Sequence, residues 1–197
     1  IATGKTGANS GTVSITAGGL LTVNAAITTT GANNGAGVGF NGGDVTLTTT
    51  AGGITTAAAG DITTSGGTGS SAAGGNAGNV TLKSNNTALD LSGDIVALGG
   101  TGSSSGTAGT VTLGSATGAN SVGSVTQTAG KITAGSITVF SDSGNVSLNS
   151  STNDANLGAV TTTGGNFTYQ DANAVTLNGA IATGKTGANS GTVSITA

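Results

Sequence analysis

This 197-residue chain contains no Cys, Pro, Met, Trp, His, Arg or Glu, and aromatic residues make up only 2% of it. Each absence removes a class of chemistry. Without Cys there is no disulfide framework, and zinc loses its commonest ligands. Without Cys or His, the usual nucleophile–base triads and dyads cannot be assembled. Charged residues amount to 6% and the formal net charge is -3, so the chain has no basic stripe for nucleic acid or for an anionic membrane surface. No apolar run approaches the ~20 residues of a transmembrane helix. The lack of Cys is also compatible with export of an unfolded chain through a narrow pore.

What remains is mostly Gly, 39 residues of it, with Thr, Ser, Asn and Ala. Disordered chains share that bias, but they are poor in β-branched apolar residues and rich in charge. Here Val, Ile and Leu recur at regular places and charge is scarce, so the sequence predicts an ordered fold without a conventional large core.

Repeats define the organisation. Residues 1–17, IATGKTGANSGTVSITA, recur unchanged as residues 181–197, an offset of 180. The chain reads as one continuous segment over 1–197: a unit at 1–180 and the opening of an identical one at 181–197. A shorter period lies inside. Strand-like segments begin at Val13, Val45, Val80, Val111, Ile137, Phe167 and Val193, at spacings of 32, 35, 31, 26, 30 and 26. Each interval holds two further apolar stations, for example Leu21/Val23 and Ile27, Ile54 and Ile62, or Leu89/Leu91 and Ile95. Val125 and Ile132, Val146/Leu148 and Val160, and Val175/Leu177 and Ile181 continue the series. Three stations per turn predict an all-β, three-sided parallel β-helix (β-solenoid) with about six turns of ~30 residues per unit, right-handed because parallel crossovers favour that hand.

At each station, apolar residues two apart share one face and the residue between them takes the other. Val45/Leu47, Val80/Leu82 and Val111/Leu113 therefore line an interior. Thr46, Thr81, Thr112, Thr138, Thr168 and Thr192 form an expected outward column. A Gly and a small polar residue precede most stations, as in Gly43-Asp44, Gly60-Asp61, Gly78-Asn79, Gly93-Asp94, Gly144-Asn145 and Gly165-Asn166. This pattern predicts corners, with Gly for backbone freedom and Asn or Asp for left-handed conformation and local bonding. The Gly/Ser/Ala stretches 31–44, 65–78 and 99–110 are expected as loops on one edge of the coil.

Segments such as GGDVTLTTTAGGITTAAAGDITTSGG and GNVTLKS…LDLSGDIVALGGTGSSSG resemble the repeat regions of filamentous-haemagglutinin-like exoproteins and autotransporter-type bacterial adhesins. The resemblance spans the whole chain and implies a secreted or surface-attached right-handed β-helix acting as shaft, adhesin or matrix component. It supplies no binding residues. The expected function is structural and non-enzymatic, with no cofactor or metal. The expected partners are like chains, end to end or side by side, and a surface glycan or cell receptor. The alternative is recognition of ice or a glycan by the Thr column.

Other motifs are better explained by the coil. Gly179 to Thr186 matches the phosphate-loop pattern, but glycines follow where a helix must start. Gly37–Gly42 matches G-x-G-x-x-G and precedes a strand, whereas a dinucleotide site requires a helix there. The seven acids, Asp44, Asp61, Asp90, Asp94, Asp142, Asp154 and Asp171, are scattered. Asn79, Asn85, Asn145, Asn149 and Asn166 begin N-x-[ST] triplets that chance explains in so polar a chain. Among the aromatics, Phe167 is expected in the core, Tyr169 beside it or capping the interior, and Phe40 in a loop.

Overall fold

A computed structural model describes residues 1–115, 120–184 and 189–197. The described residues form strands and turns with no helix. The strands are β1 (Val13–Ala17), β2 (Leu21–Val23), β3 (Ile27–Thr28), β4 (Val45–Thr49), β5 (Ile54–Thr56) and β6 (Ile62–Thr63). Then come β7 (Val80–Lys83), β8 (Leu89–Leu91), β9 (Ile95–Ala97), β10 (Thr110–Leu113), β11 (Val125–Gln127) and β12 (Ile132–Ser141). The last are β13 (Val146–Leu148), β14 (Asp154–Thr162), β15 (Phe167–Gln170), β16 (Ile181–Ala182) and β17 (Val193–Thr196).

All pairings between these strands are parallel, and through β9 each strand pairs with the strand three elements on. Three ladders result. The first runs β1-β4-β7-β10 and continues through the later halves of β12 and β14 to β16. The second runs β2-β5-β8-β11-β13-β15-β17. The third runs β3-β6-β9 into the start of β12. Because β12 and β14 each cross two ladders, the first and third belong to one sheet. A parallel all-β arrangement of this kind is compatible with a β-solenoid.

The interior follows from the two-residue alternation. Val45, Val80, Val111 and Ile137 stack in register, as do Leu47, Leu82, Leu113 and Val139, and all are fully buried. On the third ladder Ile27, Ile62, Ile95 and Ile132 form an isoleucine stack. Each buried aliphatic side chain contributes about 1.5–3 kcal/mol. No strand buries enough alone, so the stack is what makes the fold stable.

Two expectations need correction. First, the turn length is not uniform. Successive first-ladder residues are 32, 35, 31 and 26 apart, but Val125 pairs Val146 and Val146 pairs Phe167, steps of 21. Phe167 and Val193 therefore lie on the second ladder, not on the Val45 column. Between Gly130 and Phe167 no Gly-rich loop lengthens the path, so a count in steps of ~30 drifts onto the wrong face. Val175 is in no strand, and Leu177 makes only an isolated bridge to Leu157.

Second, neither the corner glycines nor the Asn and Asp that follow them, Asp44, Asp61, Asn79, Asp94, Asn145 and Asn166, are left-handed. Among described residues, positive φ occurs at Gly7, Gly114, Gly130 and Gly164, and at Asn85 and Asn86. Gly43, Gly78 and Gly109 are required for another reason. A Cβ on any of them would overlap the carbonyl oxygen of the glycine one coil below: Gly11, Gly43 and Gly78 respectively.

The Gly-rich stretches are loops beside the first ladder, and they are tightly ordered. Each folds back on itself, with Phe40 N–H donating to Ala32 O, Gly75 to Gly67 and Gly106 to Gly100. Successive loops then join through Gly67 N–H to Phe40 O and Gly100 N–H to Gly75 O, all at 2.8 Å. The result is a fin of packed backbone beside the coil. Phe40 lies in it, partly buried.

Candidate functional site

The first ladder brings Thr46, Thr81, Thr112 and Thr138 into register one coil apart, each partly exposed, with Ser14 ahead of them. Hydroxyl and methyl groups thus recur every ~4.8 Å along one face. The column stops at Thr138, because β14 bulges between Leu157 and Val160 and a Cβ on Gly158 would run into the Thr138 hydroxyl. Thr168 is on the second ladder, between Ser147 and Ser194. Thr192 precedes β17, with its N–H donating to Asn166 Oδ1 at 2.9 Å. The expected column of six is a column of four. Its outward neighbours two positions on are Thr16, Thr48 and Lys83, with Phe140 paired to Thr161 further along, so it is a single file rather than a broad plane. The second ladder carries a longer outward file: Thr22, Thr55, Asp90, Thr126, Ser147, Thr168 and Ser194.

The corner Asn and Asp residues have a more specific role than local turn bonding. Asp44 Oδ1 accepts from Asn79 N–H at 2.7 Å, and Asn79 Oδ1 accepts from Thr110 N–H at 2.9 Å. Asn9, Asn41 and Asn76 form a second such ladder, accepting from Asn41, Asn76 and Thr107 N–H at 2.8 Å each. Asp61 and Asp94 do the same toward Asp94 and Lys131, and Asn145 and Asn166 toward Asn166 and Thr192. In every case the side chain accepts from the backbone of the next coil. These carboxylates and amides are committed to stacking, which accounts for Asp44, Asp61 and Asp94, and for Asn79, Asn145 and Asn166 among the N-x-[ST] positions. Asn85 is left-handed and donates to Thr50 O, and Asn149 donates to Ser147 Oγ.

Hydroxyls close the inner corners. Thr29 and Thr64 are buried and donate across the base of the fin to Gly43 O and Gly78 O (2.7 Å for the latter). Thr49, Ser84 and Thr162 close tight turns by donating to the carbonyl three residues on.

One polar cluster was not anticipated. Where the long loops end, Gln127 and Asn153 exchange amide bonds of 2.9 and 3.0 Å, and Asn153 Oδ1 also accepts from Ile132 N–H at 2.8 Å. One coil on, the Tyr169 hydroxyl lies between Asp171 Oδ2 and Ala155 O (2.8 Å to the latter). Asp171 is held by Ala155 N–H at 3.0 Å and Asn173 N–H at 2.8 Å. Burial first, then the hydrogen bond and charge of Asp171, push Tyr169 ionisation far above the ordinary phenol range. A sequence signal existed: V-T-Q at Val125–Gln127 and F-T-Y at Phe167–Tyr169 put polar atoms at the second inward position, where V-T-L has Leu. Each of these groups has a partner within the protein, so the cluster reads as structural.

The Gly37–Gly42 loop leads into β4 and no helix. In the Gly179–Thr186 match, β16 occupies the middle; Lys185 and Thr186 lie outside the described residues. Among described residues, no three acids come together as a metal site would require. A shallow groove of ≈ 260 Å³ is lined by Gln127, Thr128, Ala129, Asn149, Ser150 and Ser151, all uncharged and all but Ala129 polar. No family model, curated protein or solved structure matches this chain.

Proposed function

We propose that the chain is a right-handed, three-sided β-helix that serves as the rigid shaft of a secreted or cell-surface fibre of the adhesin-like exoprotein type. The reading is carried by one observation: two parallel ladders, one from β1 to β16 and one from β2 to β17, run from the first described coil to the last. Polar side chains support it, because Asn, Asp, Thr and Ser are spent on bonds between coils and at corners rather than gathered at a site. Right-handedness follows from the strong preference of parallel crossovers. The 180-residue identity suits extension by duplication of whole units. Electron microscopy of the intact parent protein is expected to show unbranched fibres; globular particles would refute the shaft.

A second reading is favoured by one feature, the register of Thr46, Thr81, Thr112 and Thr138. This file could meet ice or a glycan, or a neighbouring shaft. Thermal-hysteresis and glycan-array measurements on the chain test it, and the Thr46→Val/Thr81→Val pair should abolish any signal. Absence of signal from the unsubstituted chain removes this alternative.

A further inference from the structure

The two copies of the 17-residue segment are identical in sequence but do not occupy the same ladder. In the first copy, Ala2 bridges Thr28 on the third ladder and Val13 pairs Val45 on the first. In the second, Ala182 pairs Thr161 on the first ladder and Val193 pairs Phe167 on the second. Both ends of the segment are displaced by one ladder, in the same sense. The local fold is nevertheless the same: Thr3 Oγ1 donates to Gly11 O at 2.7 Å, and Thr183 Oγ1 donates to Gly191 O at 2.7 Å.

The copies also show complementary edges. Residues 1–17 use the edge facing forward along the chain, stacking Val13 on Val45 and Ile15 on Leu47. Residues 181–197 use the edge facing back, stacking Val193 on Phe167 and Ile195 on Tyr169. A single segment can satisfy both sets at once. Merged, they join β15 of one unit through the shared strand to β4 of the next, and β14 through Ile181–Ala182 to β3.

We infer that this segment is a joint whose partner is a second unit of the same sequence, and that it turns each unit by one-third of a coil relative to the last. This rests on the shaft reading above. From Val13 the first ladder takes six steps, to Val45, Val80, Val111, Ile137, the Leu157/Val160 strand and Ile181, and Val193 then lies one ladder further. A unit therefore advances six and one-third coils, or ~30 Å at ~4.8 Å per coil. Every surface feature reappears rotated by ~120°. The glycine fin and the Thr file then point in three directions along a shaft and return to phase only every third unit, after ~90 Å. Such a shaft offers fins to neighbours on all sides, where an integral number of coils would line them up on one.

The chain has no native Cys, so paired cysteines can read the phase directly. Under mild oxidation, Thr168→Cys with Ser194→Cys should cross-link fully, as should Ser14→Cys with Thr46→Cys, the same segment position on the other ladder. Thr161→Cys with Ser194→Cys should not. Helical reconstruction of a chain lengthened to three consecutive units should then give ~120° and ~30 Å per unit. Cross-linking of Ser194→Cys to Thr161→Cys, or a rotation near zero, overturns the joint while leaving the shaft intact. Loss of the ~4.8 Å ladder spacing overturns both.

Discussion

At the scale of single residues, space and hydrogen-bond direction decide what each position tolerates. Gly67 lies in the fin, where a Cβ would overlap the backbone of Ala32; at Gly35 a Cβ meets nothing. Gly67→Ala should lower stability by at least about 1–3 kcal/mol through overpacking, and Gly35→Ala should change it little, as read by chemical denaturation. Asn79 links two coils by accepting from Thr110 N–H. Asn79→Ala should cost about 0.5–1.5 kcal/mol, while Asn79→Asp keeps the acceptor, as Asp44 does in the coil before it.

Tyr169 gives a pH signature. Its folded-state pKa is raised by burial and by Asp171, so its contribution is fully present below the unfolded phenol value of about 10. Above that value the unfolded chain ionises and the folded chain does not, and stability falls as pH rises. Because this is the only Tyr in the sequence, ultraviolet titration reads it alone. Tyrosinate should form only with unfolding, and Tyr169→Phe should remove that part of the alkaline slope. A simple titration near pH 10 with the fold retained would contradict the burial described.

At the scale of elements, inward and outward positions of one strand should respond differently. Leu82 is fully buried in β7, and Thr81 beside it faces out. Leu82→Ala should cost about 2–5 kcal/mol, against within about 0.5 kcal/mol for Thr81→Ala. Backbone amides of β7 and β10 have neighbours on both sides, whereas β1 and β17 are paired on one side only. Hydrogen exchange should be slowest in the former and fastest in the latter.

Most elements were legible because a V-T-L or I-T triplet carries its own face assignment: the period of two is local. Every apolar station except Val175/Leu177 lies within a strand. Ladder membership was less legible, because it depends on the length of each loop, and a shortening from 35 to 21 residues leaves no mark on the strands themselves. The joining of the Ile132 and Ile137 stations into one strand, β12, was hidden for the same reason: Gly135 between them reads as a corner, yet it continues the sheet. The glycine fin was invisible to side-chain patterning, since the bonds that fold each loop back and join Gly67 to Phe40 and Gly100 to Gly75 run from backbone to backbone. At the candidate site, four of six Thr positions share a ladder, and the two misplaced ones, Thr168 and Thr192, both follow the shortened coils.

At the scale of the whole molecule, stability is shared between neighbouring coils and no coil can stand alone. In a fragment of residues 1–197 taken alone, β1 and β17 are paired on one side only, and Ile1, Leu20, Leu177 and Val193 are exposed. Open edges of this kind recruit further strands, so such a fragment, when concentrated, should associate end to end. Charges substituted at Ser194 and Ile195 should suppress this association, as light scattering would show.

Diffraction from aligned filaments of the protein distinguishes a shaft of parallel coils stacked along one axis from any other arrangement. The account predicts a strong ~4.8 Å reflection along the filament axis, because strands lie across it and coils stack on it. A ~4.8 Å reflection perpendicular to the axis, or none at all, would contradict it.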